Sequence, residues 1–214
     1  NSKVYIYVYD LKTGENKQIN TTSENDFYIP RIKWTNDNNI LSFQILNRHQ
    51  NKLDLYFADA NTGNSKLIFS HTNKYYFEIN DDLTFVGNNS FIWNENNNLS
   101  LYDLNGNLLN KISSGKDDAE KFYGYNKVNN KVYYLSSFES PLTRYVLSAN
   151  LDGTGIEKLT QKQGWNKAQF SSDFSFFINT YSNITSPNYI TVNNASGKEI
   201  RVLESNEELK KVVS

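Results

Sequence analysis

Apolar and polar residues alternate along five stretches of the chain, and each stretch turns once at a glycine. The stretches are VYIYVYDLKTGENKQI (4–19), LDLYFADANTGNSKLIF (53–69), LSLYDLNGNLLNKI (99–112), YVLSANLDGTGIEKL (145–159) and YITVNNASGKEIRVL (189–203). Period-two alternation on both sides of a polar, Gly-containing turn predicts a β-hairpin. The turn glycines are Gly14, Gly63, Gly106, Gly153 and Gly197, spaced 49, 43, 47 and 44 residues apart. The stretch before each of the last four hairpins repeats as well, in 29–46, 83–94, 122–137 and 168–182. Each is a strand, a turn of Asn, Asp, Gly or Ser, and a second, more apolar strand. Two strands plus a hairpin make four antiparallel strands per repeat, the sequence signature of β-propeller blades. A sandwich or barrel would also give short strands, but it has no reason to repeat a whole four-stranded module. The predicted fold class is all-β.

The most apolar strands should pack face to face between blades, and SFIW (90–93), KVYYL (131–135) and FSFFI (174–178) fill that place. A partial propeller domain is expected over 1–203, with a half blade at 3–20 and blades at 28–70, 75–113, 120–160 and 165–203. The half blade has no complement, so the chain is expected to begin mid-blade, as a piece of a longer protein of about four and a half blades. Such an open array should expose apolar faces at its two ends and self-associate. Residues 204–214, ESNEELKKVVS, read as a short helix: Ser205 and Glu208 match a capping box, and Glu207 to Lys211 is a favourable i,i+4 pair.

Composition narrows the functions. With 22 Lys+Arg against 23 Asp+Glu, the chain has no basic excess for nucleic acid or an anionic membrane. No apolar run approaches the roughly 20 residues of a spanning helix. The absence of Cys removes disulfides, thiolate metal sites and a Cys nucleophile. Tyr 15 and Phe 13 suit pleated strands, and Asn, about one residue in seven, suits frequent turns. Motifs for chemistry are missing: there is no G-x-S-x-G elbow and no H-E-x-x-H pair. His49 and His71 stand apart, and the doublets Asp81–Asp82 and Asp117–Asp118 read as solvated loop residues. Sequons such as those at Asn20, Asn98, Asn183 and Asn194 arise by chance in so Asn-rich a chain. No catalytic residue, metal or cofactor is expected in these 214 residues.

Specific segments go further. YIPRIKWT (28–35) and LNRHQNKLDLYFADANTG (46–63) resemble the propeller of dipeptidyl peptidase IV-like serine peptidases of the prolyl oligopeptidase family, most distinctively in Leu46, Asn47, Arg48, Gln50 and Asn51. FYGYN (122–126), 131–153, 158–183 and SGKEIRVLESNEELKK (196–211) extend the likeness. The resemblance implies an eight-bladed propeller joined, through the linker helix at 204–214, to a catalytic α/β-hydrolase domain. It implies a protein that removes N-terminal Xaa-Pro or Xaa-Ala dipeptides from peptide substrates, with the propeller gating access and packing on the catalytic domain. A periplasmic or extracellular location and a homodimeric parent go with it. The family's triad would follow Ser214 and its amine-gripping glutamates would precede Asn1, so Glu207–Glu208 are not that pair, and this chain alone should be inactive.

Two places bear on function. Relatives carry a longer Gly- and His-containing stretch where this chain has NENNNLSLY (94–102), which puts that hairpin in question and leaves an inactive homologue or a non-catalytic binding propeller as the alternative. The loop before the third blade, counting the half blade as the first, can wall the substrate pocket in relatives, sometimes with an Arg and an aromatic. Tyr75, Tyr76, Phe77 and Glu78 occupy it here without an Arg, and a first strand packing its aromatics between blades is the competing expectation.

Overall fold

The computed structural model describes residues 3–21, 26–79, 81–113, 115 and 118–213. It is all-β apart from one short helix, and its strands form antiparallel sheets of the propeller-blade type. The chain divides into two compact units: Asn1–Asp81 with Phe85–Ser90 and Asp103–Asn107, and Asp82–Thr84 with Phe91–Tyr102 and Leu108–Ser214.

In the first unit, β1 (Ile6–Tyr9) and β2 (Asn16–Ile19) form a two-stranded hairpin in the register Ile6↔Ile19. The next sheet contains β3 (Phe27–Tyr28), β4 (Ile32–Trp34), β5 (Ile40–Asn47), β6 (Lys52–Asp59) and β7 (Ser65–Thr72). Its first strand is split: β3 pairs with the end of β5 and β4 with its start. Pro30 lies between the two pieces, where a residue without an N–H cannot continue the ladder. Ile6 and Ile19 pack against Leu41, Phe43, Ile45 and Ala58, and Phe43 stacks on Tyr56 with centroids 5.1 Å apart. β5 is buried on both faces over Leu41–Leu46 although its sequence alternates: Ser42 and Gln44 are buried polar positions between Leu41, Phe43 and Ile45, and the Ser42 hydroxyl donates to the Lys33 carbonyl at 2.6 Å.

The third sheet is β8 (Thr84–Val86), β9 (Ser90–Glu95), β10 (Asn98–Asp103) and β11 (Leu108–Lys111). The hairpin in question between β9 and β10 is intact. Asn96 and Asn97 take left-handed φ of 50° and 65°, the two-residue turn whose twist matches the flanking strands, and Asn tolerates that conformation best after Gly.

In the second unit, β12 (Lys121–Asn126), β13 (Lys131–Ser136), β14 (Tyr145–Asn150) and β15 (Glu157–Lys158) form the fourth sheet; β16 (Trp165–Phe170), β17 (Phe176–Asn183), β18 (Ser186–Asn194) and β19 (Glu199–Glu204) form the fifth. Tyr133, Leu135, Val146 and Leu159 of one pack on Ala168 and Phe177 of the other. Tyr133 lies 4.9 Å from Phe170 and 5.0 Å from Phe174, ring to ring. SFIW and KVYYL are buried as expected, whereas FSFFI is not uniformly so: Phe177 is 1% exposed, Phe176 48% and Ile178 38%. Strand alternation sends Phe176 and Ile178 to the sheet's other face, which is exposed in this chain.

Each hairpin turn after the first presses on the outer strand of the sheet before it. A Cβ on Gly106 would come within 2.6 Å of the Ile68 carbonyl oxygen, and one on Gly153 within 2.5 Å of that of Lys111. Gly63 meets the Gln18 carbonyl and Gly197 the Leu159 carbonyl still more closely. An Asp or Asn opens each turn. The Asp59 carboxylate accepts the N–H groups of Asn61 and Thr62 at 2.8 Å, and the Asn194 amide oxygen accepts those of Ser196 and Lys198. The N–H groups of Thr62 and Asn61 hold the Asp59 carboxyl, and those of Lys12 and Thr13 the Asp10 carboxyl, below the usual carboxylate range.

The helix α1 (Glu207–Val213) packs on β18. Its cap is Asn206, one residue later than expected: the Asn206 carbonyl accepts the Lys210 N–H at 2.9 Å. Asn206 holds φ 52°, which Asn tolerates far better than Ser. Lys211 pairs with Glu208 at 3.1 Å rather than with Glu207.

Candidate functional site

The residues that carried the family likeness build a corner at one end of the second sheet. Asn47 ends β5, and its side-chain oxygen accepts the N–H groups of Asn51 and Lys52, both at 3.0 Å, while its amide donates to Asn51 Oδ1 at 2.8 Å. Gln50 closes the turn with φ 57° and donates its N–H to the Asn47 carbonyl. A turn held this firmly presents its outer carbonyls in fixed places. The Gln50 carbonyl accepts the Phe77 N–H and the Asn51 carbonyl the Asn73 N–H, each at 2.8 Å, so the chain after β7 is tied to this turn.

On the same turn, the Arg48 guanidinium donates to the Tyr28 hydroxyl and lies 5.6 Å from that ring's centroid and 4.0 Å from the Asp26 carboxylate. Arg48 is mostly exposed, so its pairing with Asp26 contributes little stability and its remaining donors face water.

Tyr75 and Tyr76 are 72% and 65% exposed, Phe77 is half-buried and Glu78 exposed. Lys74 Nζ sits 5.3 Å over the Tyr75 ring. No described residue from 73 to 83 lies in a strand, because β7 ends at Thr72 and β8 starts at Thr84. The expectation of a first strand packing its aromatics between blades is therefore corrected: the segment is a loop fixed by backbone hydrogen bonds, and both tyrosine rings are largely in solvent. The sequence reading found no Arg in this loop. Arg48 lies on the turn to which that loop is tied, with its guanidinium at Tyr28 and Asp26, and Asn47, whose short amide fixes such turns, is the signal in the sequence. Exposed phenol rings on the loop can stack on apolar side chains and donate to peptide carbonyls, and the guanidinium on the tied turn can donate to carbonyls or carboxylates.

The other sequence candidates have structural partners. Asp81 pairs with Arg31, Asp82 accepts from the Asn94 amide at 2.8 Å, and Asp118 accepts from the Ser137 hydroxyl at 3.1 Å. Asp117 lies outside the described residues. His71 packs edge-on against Phe69 at 4.5 Å, and His49 is exposed on the Arg48 turn. Among the described residues no group of three or more His, Asp or Glu could hold a metal, and no helix is long and apolar enough to cross a membrane.

A family model for the dipeptidyl peptidase IV (DPP IV) N-terminal region matches residues 1–188. A probable dipeptidyl-aminopeptidase B of Talaromyces marneffei is 22% identical over 238 residues, covering 100% of this chain and 26% of the relative. A probable dipeptidyl-aminopeptidase B of Sclerotinia sclerotiorum is 39% identical over 56 residues, 25% of this chain. The crystal structure of Porphyromonas gingivalis dipeptidyl peptidase 4 superposes with a TM-score of 0.85 at 31% identity, over 97% of this chain and 30% of that one. A putative dipeptidyl aminopeptidase IV from Bacteroides ovatus shares the fold, with a TM-score of 0.78 at 18% identity. The chain thus spans between a quarter and a third of the relatives it matches end to end.

Proposed function

The chain belongs to the dipeptidyl peptidase IV N-terminal region family, and from that premise we propose that it is the gating propeller portion of a serine exopeptidase that releases N-terminal Xaa-Pro or Xaa-Ala dipeptides. The chemistry would reside in an α/β-hydrolase domain of the same protein, reached through α1, with the protein periplasmic or extracellular and its parent a homodimer. The propeller would admit unfolded peptide ends and exclude folded proteins. Tyr75, Tyr76, Phe77 and Glu78 would form one wall of the peptide chamber, with Arg48 beside them.

The observation that carries this reading is the tie between the Asn47–Lys52 turn and residues 73–77. It holds the aromatic loop in one place, as a wall against a moving peptide requires. The experiment compares the 214-residue chain with the full reading frame that contains it on a chromogenic Gly-Pro amide. Hydrolysis by the full frame alone supports the proposal. Silence from both supports the inactive homologue or binding propeller instead, and turnover by the 214 residues alone overturns the proposal.

A further inference from the structure

Away from that corner, the second unit holds a cleft of about 170 Å³ lined by residues 159–162 and by side chains from all four strands of the fifth sheet. Lys162, Asn166, Asn179, Tyr189, Thr191 and Glu199 are among its lining residues. The part of this sheet face around Phe170 and Phe177 is apolar core, whereas the cleft is lined by polar side chains.

Its hydrogen bonds can be assigned without ambiguity. Asn166 is 0% exposed, and its Nδ2 donates to the Arg144 carbonyl at 2.8 Å and the Lys162 carbonyl at 3.1 Å. Carbonyls only accept, so the amide cannot be flipped, and Asn166 Oδ1 must face Asn179 as an acceptor. Asn179 therefore presents its Nδ2 to Asn166, at 3.1 Å, and its own Oδ1 is left as an acceptor. That oxygen is buried, in a residue 8% exposed, and no protein group donates to it. Buried polar atoms are almost always paired, so an unpaired one on a residue lining the cleft leaves an acceptor open to a donor from outside the chain.

The remaining groups define the ligand's chemistry. Tyr189 donates its hydroxyl to Glu199 Oε1 at 3.0 Å, and Lys162 Nζ rests 3.9 Å over the Tyr189 ring. The free acceptor and the Glu199 carboxylate disfavour an anion, and the Lys162 ammonium disfavours a cation. A neutral molecule whose groups donate and accept by turns satisfies all three. A sugar hydroxyl does both, and the ring's C–H face suits the adjoining tyrosines. We propose that this cleft binds a single pyranose unit, with a hydroxyl donating to Asn179 Oδ1, independently of any peptidase activity.

The test is saturation-transfer difference NMR on the full-length protein with methyl α-D-glucoside, methyl α-D-mannoside and methyl α-D-galactoside, and glycerol as control. At least one pyranoside should give transfer that Asn179→Leu abolishes and Lys162→Ala and Glu199→Gln each weaken severalfold, with circular dichroism confirming each fold. If Asn179→Leu does not fold, the two surface variants decide. No transfer from any pyranoside, transfer unchanged in the folded variants, or glycerol signalling as strongly as the sugars would each overturn the proposal.

Discussion

Placing a methyl group on Gly197 separates two reasons for a glycine. Gly14 and Gly197 occupy equivalent turns with φ of +77° and +86°, so an L-residue at either carries the same backbone cost. For Ala in the left-handed region that is about 1–2 kcal/mol. Their surroundings differ. A Cβ on Gly14 has its nearest neighbour at 3.8 Å, the Tyr9 hydroxyl, whereas one on Gly197 overlaps the Leu159 carbonyl and lies 2.8 and 2.9 Å from its carbon and Cα. Those are backbone atoms of a strand end and cannot rotate away, so the fourth and fifth sheets must part. Forcing such an overlap adds roughly 1–3 kcal/mol, giving about 2–5 kcal/mol for Gly197→Ala against about 1–2 for Gly14→Ala. Asn isolates the contact, since it tolerates the left-handed conformation while still carrying a Cβ. Gly14→Asn should stay within about 0.5 kcal/mol of the parent and Gly197→Asn should not. Urea unfolding followed by Trp fluorescence reads the difference as a change in midpoint at constant slope. Equal losses for the two Asn variants would refute the contact argument.

Other outcomes follow from single residues. If the proposed function holds, Tyr75→Ala with Tyr76→Ala in the full-length protein should raise KM for a Gly-Pro amide about three- to tenfold, with kcat little changed, because a removed wall contact acts on substrate and transition state alike; a matching fall in kcat at constant KM would count against the wall role. Phe177→Ala should cost about 3–5 kcal/mol and Phe176→Ala, on the open face, under about 1, as judged by thermal unfolding of the 214-residue chain. The Ser171 and Ser175 hydroxyls and the Ser175 N–H hold the Asp173 carboxyl down at about 2. A depressed carboxyl stabilises fully above its unfolded value of 3.8 and loses that contribution as pH falls through about 2. The parent should therefore exceed Asp173→Asn in stability near neutral pH and converge with it at the acid end; a constant gap in acid-unfolding curves would remove the carboxylate from the account.

The fold was legible because its cause recurs. The Gly turn must both adopt positive φ and meet a neighbouring carbonyl, so it appears at Gly63, Gly106, Gly153 and Gly197 at nearly one period. Features set by a single residue's neighbours were harder to read. Pro30 breaks a strand whose pattern runs on past it, and Asn206 rather than Ser205 caps α1 because the chain enters the helix through a left-handed residue. FSFFI looked like KVYYL since sequence shows a strand's apolarity but not whether both faces are covered. Arg48 was visible as part of a likeness, yet the tie between its turn and residues 73–77 rests on two backbone hydrogen bonds between segments distant in sequence. In a chain so rich in Asn, Asn166 and Asn179 carry no outward sign of their positions in strands; only their shared amide network distinguishes them from turn residues.

The contact between turn and carbonyl also sets a direction in time. Gly63 rests on Gln18, Gly106 on Ile68, Gly153 on Lys111 and Gly197 on Leu159, so the receiving strand always precedes the arriving turn in the chain. A ribosome releases the chain in that same order. Each sheet that emerges finds its seat already built, and the last hairpin of every blade can dock without waiting for anything still unmade. Assembly in chain order therefore never leaves a turn without the strand on which it rests.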